Sequence, residues 1–141
     1  MPTYNGTASP DTINGDQGGV VADDVIYGLA DRDVLSGLDG NDEIYGGVDD
    51  DLLYGGDGND RLEGGSYNDV ITGGAGDDSL YGGDGTRDKL SYLGAAAGVT
   101  VDISVAGAQD THGAGIDTLA GFEILVGSEL TGPHRVVRVD C

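Results

Sequence analysis

Between Gly37 and Tyr81 a branched aliphatic residue returns at every ninth position, as Ile44, Leu53, Leu62, Ile71 and Leu80. Two places before each stands an aspartate: Asp42, Asp51, Asp60, Asp69 and Asp78. Flanking copies, Gly19 to Tyr27 and Gly28 to Ser36, keep the spacing with Asp24, Ile26, Asp33 and Leu35. One aliphatic in nine is too sparse for an amphipathic helix, which needs an apolar residue every three or four places. It suits a minimal strand such as Arg61-Leu62-Glu63, with the leucine facing in and its neighbours out. The six residues before it must then turn the chain, and glycines at the first, second and fourth places permit the positive φ angles such a bend needs. Two nonapeptides, one strand on each side, make a flattened coil of eighteen residues. Self-similarity at a short fixed period replaces a globular core by stacked units, each too small to fold alone.

That coil fixes where the carboxylates go. Repeats two apart stack on one edge, so Asp24, Asp42, Asp60 and Asp78 form one column and Asp33, Asp51 and Asp69 the other. Neighbouring strands lie about 4.7–4.9 Å apart, which piles up like charges unless a cation separates them. Calcium–oxygen distances of roughly 2.3–2.6 Å place two carboxylates on opposite sides of one ion about 4.6–5.2 Å apart, which matches the strand spacing. Magnesium, at about 2.0–2.1 Å with a rigid octahedral demand, fits less well. Zinc is disfavoured because the repeats contain no histidine or cysteine. A lone aspartate in a glycine-rich loop is an ordinary turn residue, but seven in unbroken register are not explained that way.

Composition describes a chain that needs its ligand. Of 141 residues 28 are glycine, one is phenylalanine, none is tryptophan, and the formal charge is -20. Low hydrophobicity with high net charge marks a segment that cannot offset its conformational entropy by burial, so the metal-free chain is expected to be largely unfolded. Twenty of the 26 acidic residues fall between Asp11 and Asp88, where the proposed ions would sit. The charge argues against nucleic acid and anionic membranes as partners, and no apolar run approaches spanning length, so no membrane insertion is expected. Cys141 alone cannot form an internal disulfide.

The flanks are less regular. Met1 to Tyr4 shows neither a basic nor an apolar leader region, so no cleavable signal is expected. Gly6 to Asn14 carries Asp11 and Ile13 in the repeat's places and reads as a capping unit, after which four extra residues, Gly15 to Gly18, break the period. The fourth place wants a left-handed conformation: Gly40, Gly58 and Gly76 supply it, Asp31 and Asp49 tolerate it, and Ala22 and Tyr67 strain against it. The unit Gly82 to Leu90 is one residue too long, which sets Asp88 ten residues after Asp78, beside Arg87. Val99 to Ile103 alternates as a half-buried strand should. Asp117-Thr118-Leu119 and Phe122 to Val126 suggest further coils, and His134 to Cys141 loses the pattern and reads as a cap. Residues 1–90 are thus expected to form the repeat array and 91–141 a β continuation and cap of the same domain.

Outward places differ between the two expected sheets. One presents Val25, Glu43, Arg61 and Ser79, with Glu43 and Arg61 as cross-strand neighbours and Tyr27, Tyr45 and Tyr81 aligned beside them. The other presents Val34, Leu52 and Val70 beside Tyr54, an apolar row expected to be covered by the C-terminal segment or a second subunit.

The phrase resembles the nonapeptide of the RTX (repeats-in-toxin) family of bacterial secreted proteins, over about Gly6 to Leu90. The resemblance implies an all-β fold, a parallel β-roll: a right-handed, calcium-stabilised solenoid of nine-residue half-turns, binding several Ca2+ ions through Asp24, Asp33, Asp42, Asp51, Asp60, Asp69, Asp78 and Asp88. In the family each ion takes the aspartate and the second- and fourth-place carbonyls of one repeat. From the repeat two on, it takes the aspartate and the first- and third-place carbonyls. Carried over, one site uses Gly56, Gly58 and Asp60 with Gly73, Ala75 and Asp78. A second uses Leu38, Gly40 and Asp42 with Gly55, Asp57 and Asp60. On the other edge Gly47, Asp49 and Asp51 meet Gly64, Ser66 and Asp69. The resemblance also implies export through a one-step channel and folding on extracellular calcium.

Two functional readings follow, and a third is weaker. The first is a non-enzymatic calcium-binding roll, secreted alone or as a module of a larger protein. The second is an accessory module for an alginate-type polysaccharide, for which six basic residues are few. A glycosidase using paired carboxylates is disfavoured, because every paired aspartate is better explained as a metal ligand. No nucleophile constellation accompanies His112 or His134.

Overall fold

The computed structural model describes residues 1–16, 21–95, 98–127 and, for the backbone, 135–136. Two sheets, parallel except for one antiparallel edge strand, face each other, and the chain alternates between them in a solenoid of about five turns. The regular coils comprise β3 (Val25–Ala30), β4 (Val34–Asp39), β5 (Glu43–Val48), β6 (Leu52–Asp57), β7 (Arg61–Ser66), β8 (Val70–Ala75) and β9 (Ser79–Asp84). They are preceded by β1 (Thr3–Asn5) and β2 (Thr12–Asn14). After β9 come β10 (Lys89–Ser91), β11 (Thr100–Val101), β12 (Gly107–Asp110), β13 (Ile116–Ala120), β14 (Ile124–Val126) and β15 (Arg135–Val136). One sheet runs in the order β1-β3-β5-β7-β9-β13-β12 and the other β14-β10-β8-β6-β4-β2.

The strand register is the nonapeptide stacked on itself. Glu43, Ile44 and Tyr45 lie opposite Arg61, Leu62 and Glu63, which lie opposite Ser79, Leu80 and Tyr81. The regular strands are six residues long, not three, because pairing resumes after a gap at the first-place glycine: Gly47 faces Gly65 and Val48 faces Ser66. A positive φ at the second place, such as 120° at Gly65, bends the strand there without ending its ladder. Only the fourth to sixth places are left to turn the chain.

One aliphatic per repeat fills the space between the sheets. Ile26, Leu35, Ile44, Leu53, Leu62, Ile71, Leu80 and Leu90 have no exposed surface, and each strand alternates inward and outward about that residue. A solenoid coil buries few side chains, and these eight line the core of the repeat array, with Ile13, Leu119 and Phe122 among the residues that extend it at the ends.

The ends depart from the expected register. Val25 N–H donates to the Pro2 carbonyl at 2.9 Å, so Met1 to Asn5 adds a strand ahead of the first recognisable repeat. Gly15, and not Gly19, fills the first place of the Asp24 unit: its N–H donates to the Ser36 carbonyl at 2.7 Å. The surplus residues therefore sit in the following turn, and residues 17–20 lie outside those described. Between β10 and β13 the chain makes an excursion that holds β11 and β12. Val99 and Val101 are buried and Thr100 exposed, as the alternation predicts, but the strand stops at Val101 because Asp102 turns the chain by accepting the Ser104 N–H at 3.0 Å. Then β13 and β14 rejoin the two sheets, pairing in parallel with β9 and β10. The expected C-terminal cap falls outside the described residues, apart from β15, which pairs with β11.

On the outer face of the first sheet Glu43 and Arg61 are cross-strand neighbours as expected. The ion pair of Arg61, however, is made along its own strand to Glu63 at 2.9 Å, while Glu43 accepts the Tyr45 hydroxyl at 2.9 Å. Tyr27 stacks on Tyr45 at 5.1 Å, and the Arg61 guanidinium lies 4.7 Å above the Tyr81 ring. On the second sheet Val34, Leu52 and Val70 form one outward row, Leu52 and Val70 half-buried and Val34 exposed.

Candidate metal centre

The turns hold the aspartates by a repeated main-chain pattern. The N–H of Asp42 donates to Oδ1 of Asp60 at 2.8 Å, and the N–H of Asp60 to Oδ1 of Asp78 at 2.9 Å. On the other edge Asp33 donates to Asp51, Asp51 to Asp69 and Asp69 to Asp88, at 2.8, 2.8 and 2.9 Å. Asp24, Asp33, Asp42, Asp51, Asp60, Asp69, Asp78 and Asp88 are all at most 3% exposed.

Each of these carboxylates keeps one buried oxygen with no hydrogen-bond donor: Oδ1 of Asp24 and Oδ2 of the other seven. A buried, unpartnered carboxylate oxygen is expensive unless something positive meets it. Where the columns begin or end, the corresponding oxygen has a donor instead. Asp11 accepts the Thr7 N–H at 2.6 Å, Asp24 Oδ2 accepts the Asp16 N–H at 2.7 Å, and Asp117 Oδ2 accepts the Tyr92 hydroxyl at 2.6 Å. Apart from Asp24 Oδ1, which has no earlier coil to donate to it, the orphaned oxygens thus fall along the interior of the columns, where a hard cation with oxygen preference fits the donor set.

Backbone oxygens approach the same points. An added Cβ on Gly55 would meet both Asp60 Oδ2 and the Gly73 carbonyl oxygen, and one on Gly37 would meet Asp42 Oδ2 and the Gly55 oxygen. On the other edge a Cβ on Gly46 would meet Asp51 Oδ2 and the Gly64 oxygen. Second-place carbonyls of Leu38, Gly47 and Gly56 lie directly beneath Gly56, Gly65 and Gly74, and the fourth-place oxygens of Gly40 and Gly58 beneath Gly58 and Gly76. Third-place oxygens of Asp57 and Ala75 accept the N–H of Gly40 and Gly58 at 2.9 and 2.8 Å. Ser66, also at the third place, pairs with Val48, and Asp49 takes the left-handed turn with φ 83°. Among the described residues no three acidic, histidine or cysteine side chains gather at one point. An ion here would therefore be held by two carboxylates and main-chain oxygens.

Tyr67 does adopt the strained fourth-place conformation, with φ 80°. Asp88 joins its column despite the extra residue in its turn: an added Cβ on Gly85 would meet both of its oxygens.

Without a cation, burial pushes these carboxyls upward. Asp42, Asp51 and Asp60 rise to about 6, Asp69 to about 7 and Asp78 to about 8. Desolvation is the main cause, and the nearby carboxylates add to it. The main-chain N–H from the previous coil works against both. Asp33, Asp88 and Asp117 are raised for the same leading reason.

Two features were not read from the sequence. Asp117 and Glu123 continue the columns, accepting the N–H of Asp78 at 3.1 Å and of Asp88 at 2.9 Å. The fifth place forms a second ladder in the opposite sense: Asn59 N–H donates to Asn41 Oδ1 and Asp77 N–H to Asn59 Oδ1, each at 2.9 Å. The recurrence of asparagine or aspartate at that place was its signal.

No curated protein and no solved structure is significantly similar to the chain. A family model, the RTX calcium-binding nonapeptide repeat (4 copies), matches residues 19–53 and again residues 54–87. The parallel coils, the buried aspartate columns and this match agree: the repeat array of residues 19–87 belongs to the RTX calcium-binding nonapeptide repeat family.

Proposed function

We propose that the chain is a secreted calcium-binding β-roll that stays unfolded where calcium is scarce and folds on meeting extracellular calcium, without catalysing a reaction. The observation that carries this reading is the line of buried, donor-free carboxylate oxygens from Asp33 to Asp88. Calcium supplies charge neutralisation and a flexible shell of oxygen ligands. Gly56, Gly58, Asp60, Gly73, Ala75 and Asp78 are assigned to one ion. Leu38, Gly40, Asp42, Gly55, Asp57 and Asp60 are assigned to a second, and Gly47, Asp49, Asp51, Gly64, Ser66 and Asp69 to a third. The main-chain oxygens beside Asp42, Asp51 and Asp60 favour this division. Residues 91–141 are taken as a continuation of the same domain, since β13 and β14 extend both sheets. Extracellular calcium modules bind at about 10⁻⁴–10⁻³ M, so low cytosolic calcium would leave the chain threadable for export.

Circular dichroism of the full chain in chelator and in millimolar calcium tests the reading, with magnesium as control. Strand signal that appears with calcium and not with magnesium is expected. A chelated chain as rich in strand as the loaded one overturns it.

The row Val34, Leu52 and Val70 is proposed as a covered surface, meeting the C-terminal segment or a second copy of the chain. Leu52→Glu is expected to lower calcium-loaded stability or change the oligomeric state measured by sedimentation. A variant equal to the parent in both rules this out.

A further inference from the structure

The repeats matched by the family model end at residue 87, but the Asp42 column does not stop there. Four hydrogen bonds that define the step from one coil to the next recur between the Asp78 turn and the Asp117 turn, although 39 residues separate the two aspartates where 18 is the rule. Asp78 N–H donates to Asp117 Oδ1 at 3.1 Å, as Asp60 does to Asp78. Thr118 N–H donates to the Asp78 carbonyl at 2.7 Å, as Ser79 does to Asp60. Gly76 N–H donates to the Ala114 carbonyl at 3.0 Å, as Gly58 does to Ala75. Ile116 N–H donates to Asp77 Oδ1 at 2.8 Å, as Asp77 does to Asn59. Gly115 holds the fourth place with φ 117°.

Asp78 is 1% exposed, and its Oδ2 has no donor. That oxygen points towards Gly73 just as Asp60 Oδ2 points towards Gly55, which is the orientation that faces the following coil. Resting on the calcium reading above, we propose that Asp78 and Asp117 hold a further calcium ion outside the nonapeptide array, and that Tyr92 ends the column there. The remaining oxygens come from Gly74 and Gly76 on one side and Ala114 on the other. Tyr92 stands directly after β10, at the place where the repeats carry their first glycine. Its side chain is 3% exposed, and its hydroxyl donates to Asp117 Oδ2 at 2.6 Å. That is the oxygen which would face a next ion, so a neutral donor takes the cation's place and no charge is left unpaired.

The site differs from those within the array at one point. Beside Gly55 the Gly73 carbonyl accompanies Asp60 Oδ2, whereas beside Gly73 the third neighbour of an added Cβ is a methyl of Leu80 at 3.1 Å. With no main-chain oxygen among those three nearest atoms, this ion is expected to load after those of the array. Its binding also fastens the excursion from Tyr92 to Gly115, because Asp117 and Ala114 bring the far end of that excursion back to the roll.

Anomalous diffraction from crystals of the full chain loaded with terbium in place of calcium tests the proposal directly. Peaks between Asp42 and Asp60 and between Asp60 and Asp78, with a further one between Asp78 and Asp117, are expected. Peaks at the first two only overturn the proposal and leave the calcium reading standing. Absence of all three removes the calcium reading and this proposal with it. A second measurement uses Asp117→Asn, which keeps the Oδ1 acceptor and removes the charge. Equilibrium dialysis is expected to find one calcium fewer per chain than in the parent, with the strand signal of the repeats retained. An unchanged calcium count overturns the proposal.

Discussion

The main-chain N–H of Asp42 donates to Oδ1 of Asp60 at 2.8 Å, so the carboxylate of each coil is oriented by the backbone of the coil before it. Asp60 in turn donates to Asp78 at 2.9 Å. A carboxylate fixed on one oxygen presents the other in a set direction, and every interior aspartate does so identically. Cooperative loading is therefore expected, because filling one site would order the residue that builds the next.

Asp60, assigned to two ions, is where this coupling is most exposed to substitution. Asp60→Asn is expected to raise the calcium midpoint of folding on the order of tenfold and to flatten the transition, since affinity at such sites follows ligand charge. Asp24→Asn, at the start of its column, should do less. Calcium titrations followed by circular dichroism compare them, and equal effects would remove the argument for sharing.

Protons and calcium should be alternative neutralisers of the column. The carboxyls of Asp42, Asp51 and Asp60 at about 6, Asp69 at about 7 and Asp78 at about 8 lie above the ordinary value of 3.8. A carboxyl with a raised folded value binds its proton more tightly in the folded state. Its contribution to folding is therefore complete below about 3.8 and is lost as pH rises through 6 to 8. In chelator, strand content is expected to grow as pH falls from 8 towards 4. In calcium, the same acidification should weaken metal binding. A chelated chain whose dichroism is flat over this range would contradict the first expectation.

Backbone conformation in the turns yields predictions of opposite sign. Gly56→Ala adds a Cβ at φ 125°, directly over the Leu38 carbonyl oxygen, and is expected to cost several kcal/mol or prevent folding. Tyr67→Gly relieves φ 80° at an exposed turn. The strain released is about 1–2 kcal/mol, and added freedom in the unfolded chain returns part of it, leaving a gain of about 0.5–1 kcal/mol. Urea denaturation in saturating calcium measures both.

Much of the roll can be read directly from the chain, because its two invariant places do separate jobs. Leu62 had to face in and Asp60 had to sit two places earlier, in the turn, and both are found there. The length of the strands was not legible. Nothing in the letters Gly64-Gly65 says that a bent second place lets the ladder carry on to Ser66. Where extra residues are inserted, the sequence fixes only that there is surplus. Gly15 and Gly19 are equally good glycines, and the choice is made by the Ser36 carbonyl, which Gly15 reaches. The segments of Asp117 and Glu123 read as further coils, but that these two side chains extend the columns was hidden for a related reason. A period is recognised by counting, and the excursion from Tyr92 to Gly115 and the short turn at Gly121-Phe122 both change the count while preserving the vertical neighbour.

The excursion after β10 leaves the stack and comes back to it with the hydrogen bonds of the next step intact. It leaves at Tyr92 and returns at Gly115, the first and fourth places of one repeat, so its two ends lie within a single half-turn, whatever length of polypeptide joins them. A guest peptide or small domain spliced into the exposed turn at Ser104 to Ala106 would hang from the side of the tower without lifting the floor above, making this turn a natural docking port for engineered cargo whose display is switched on by the metal.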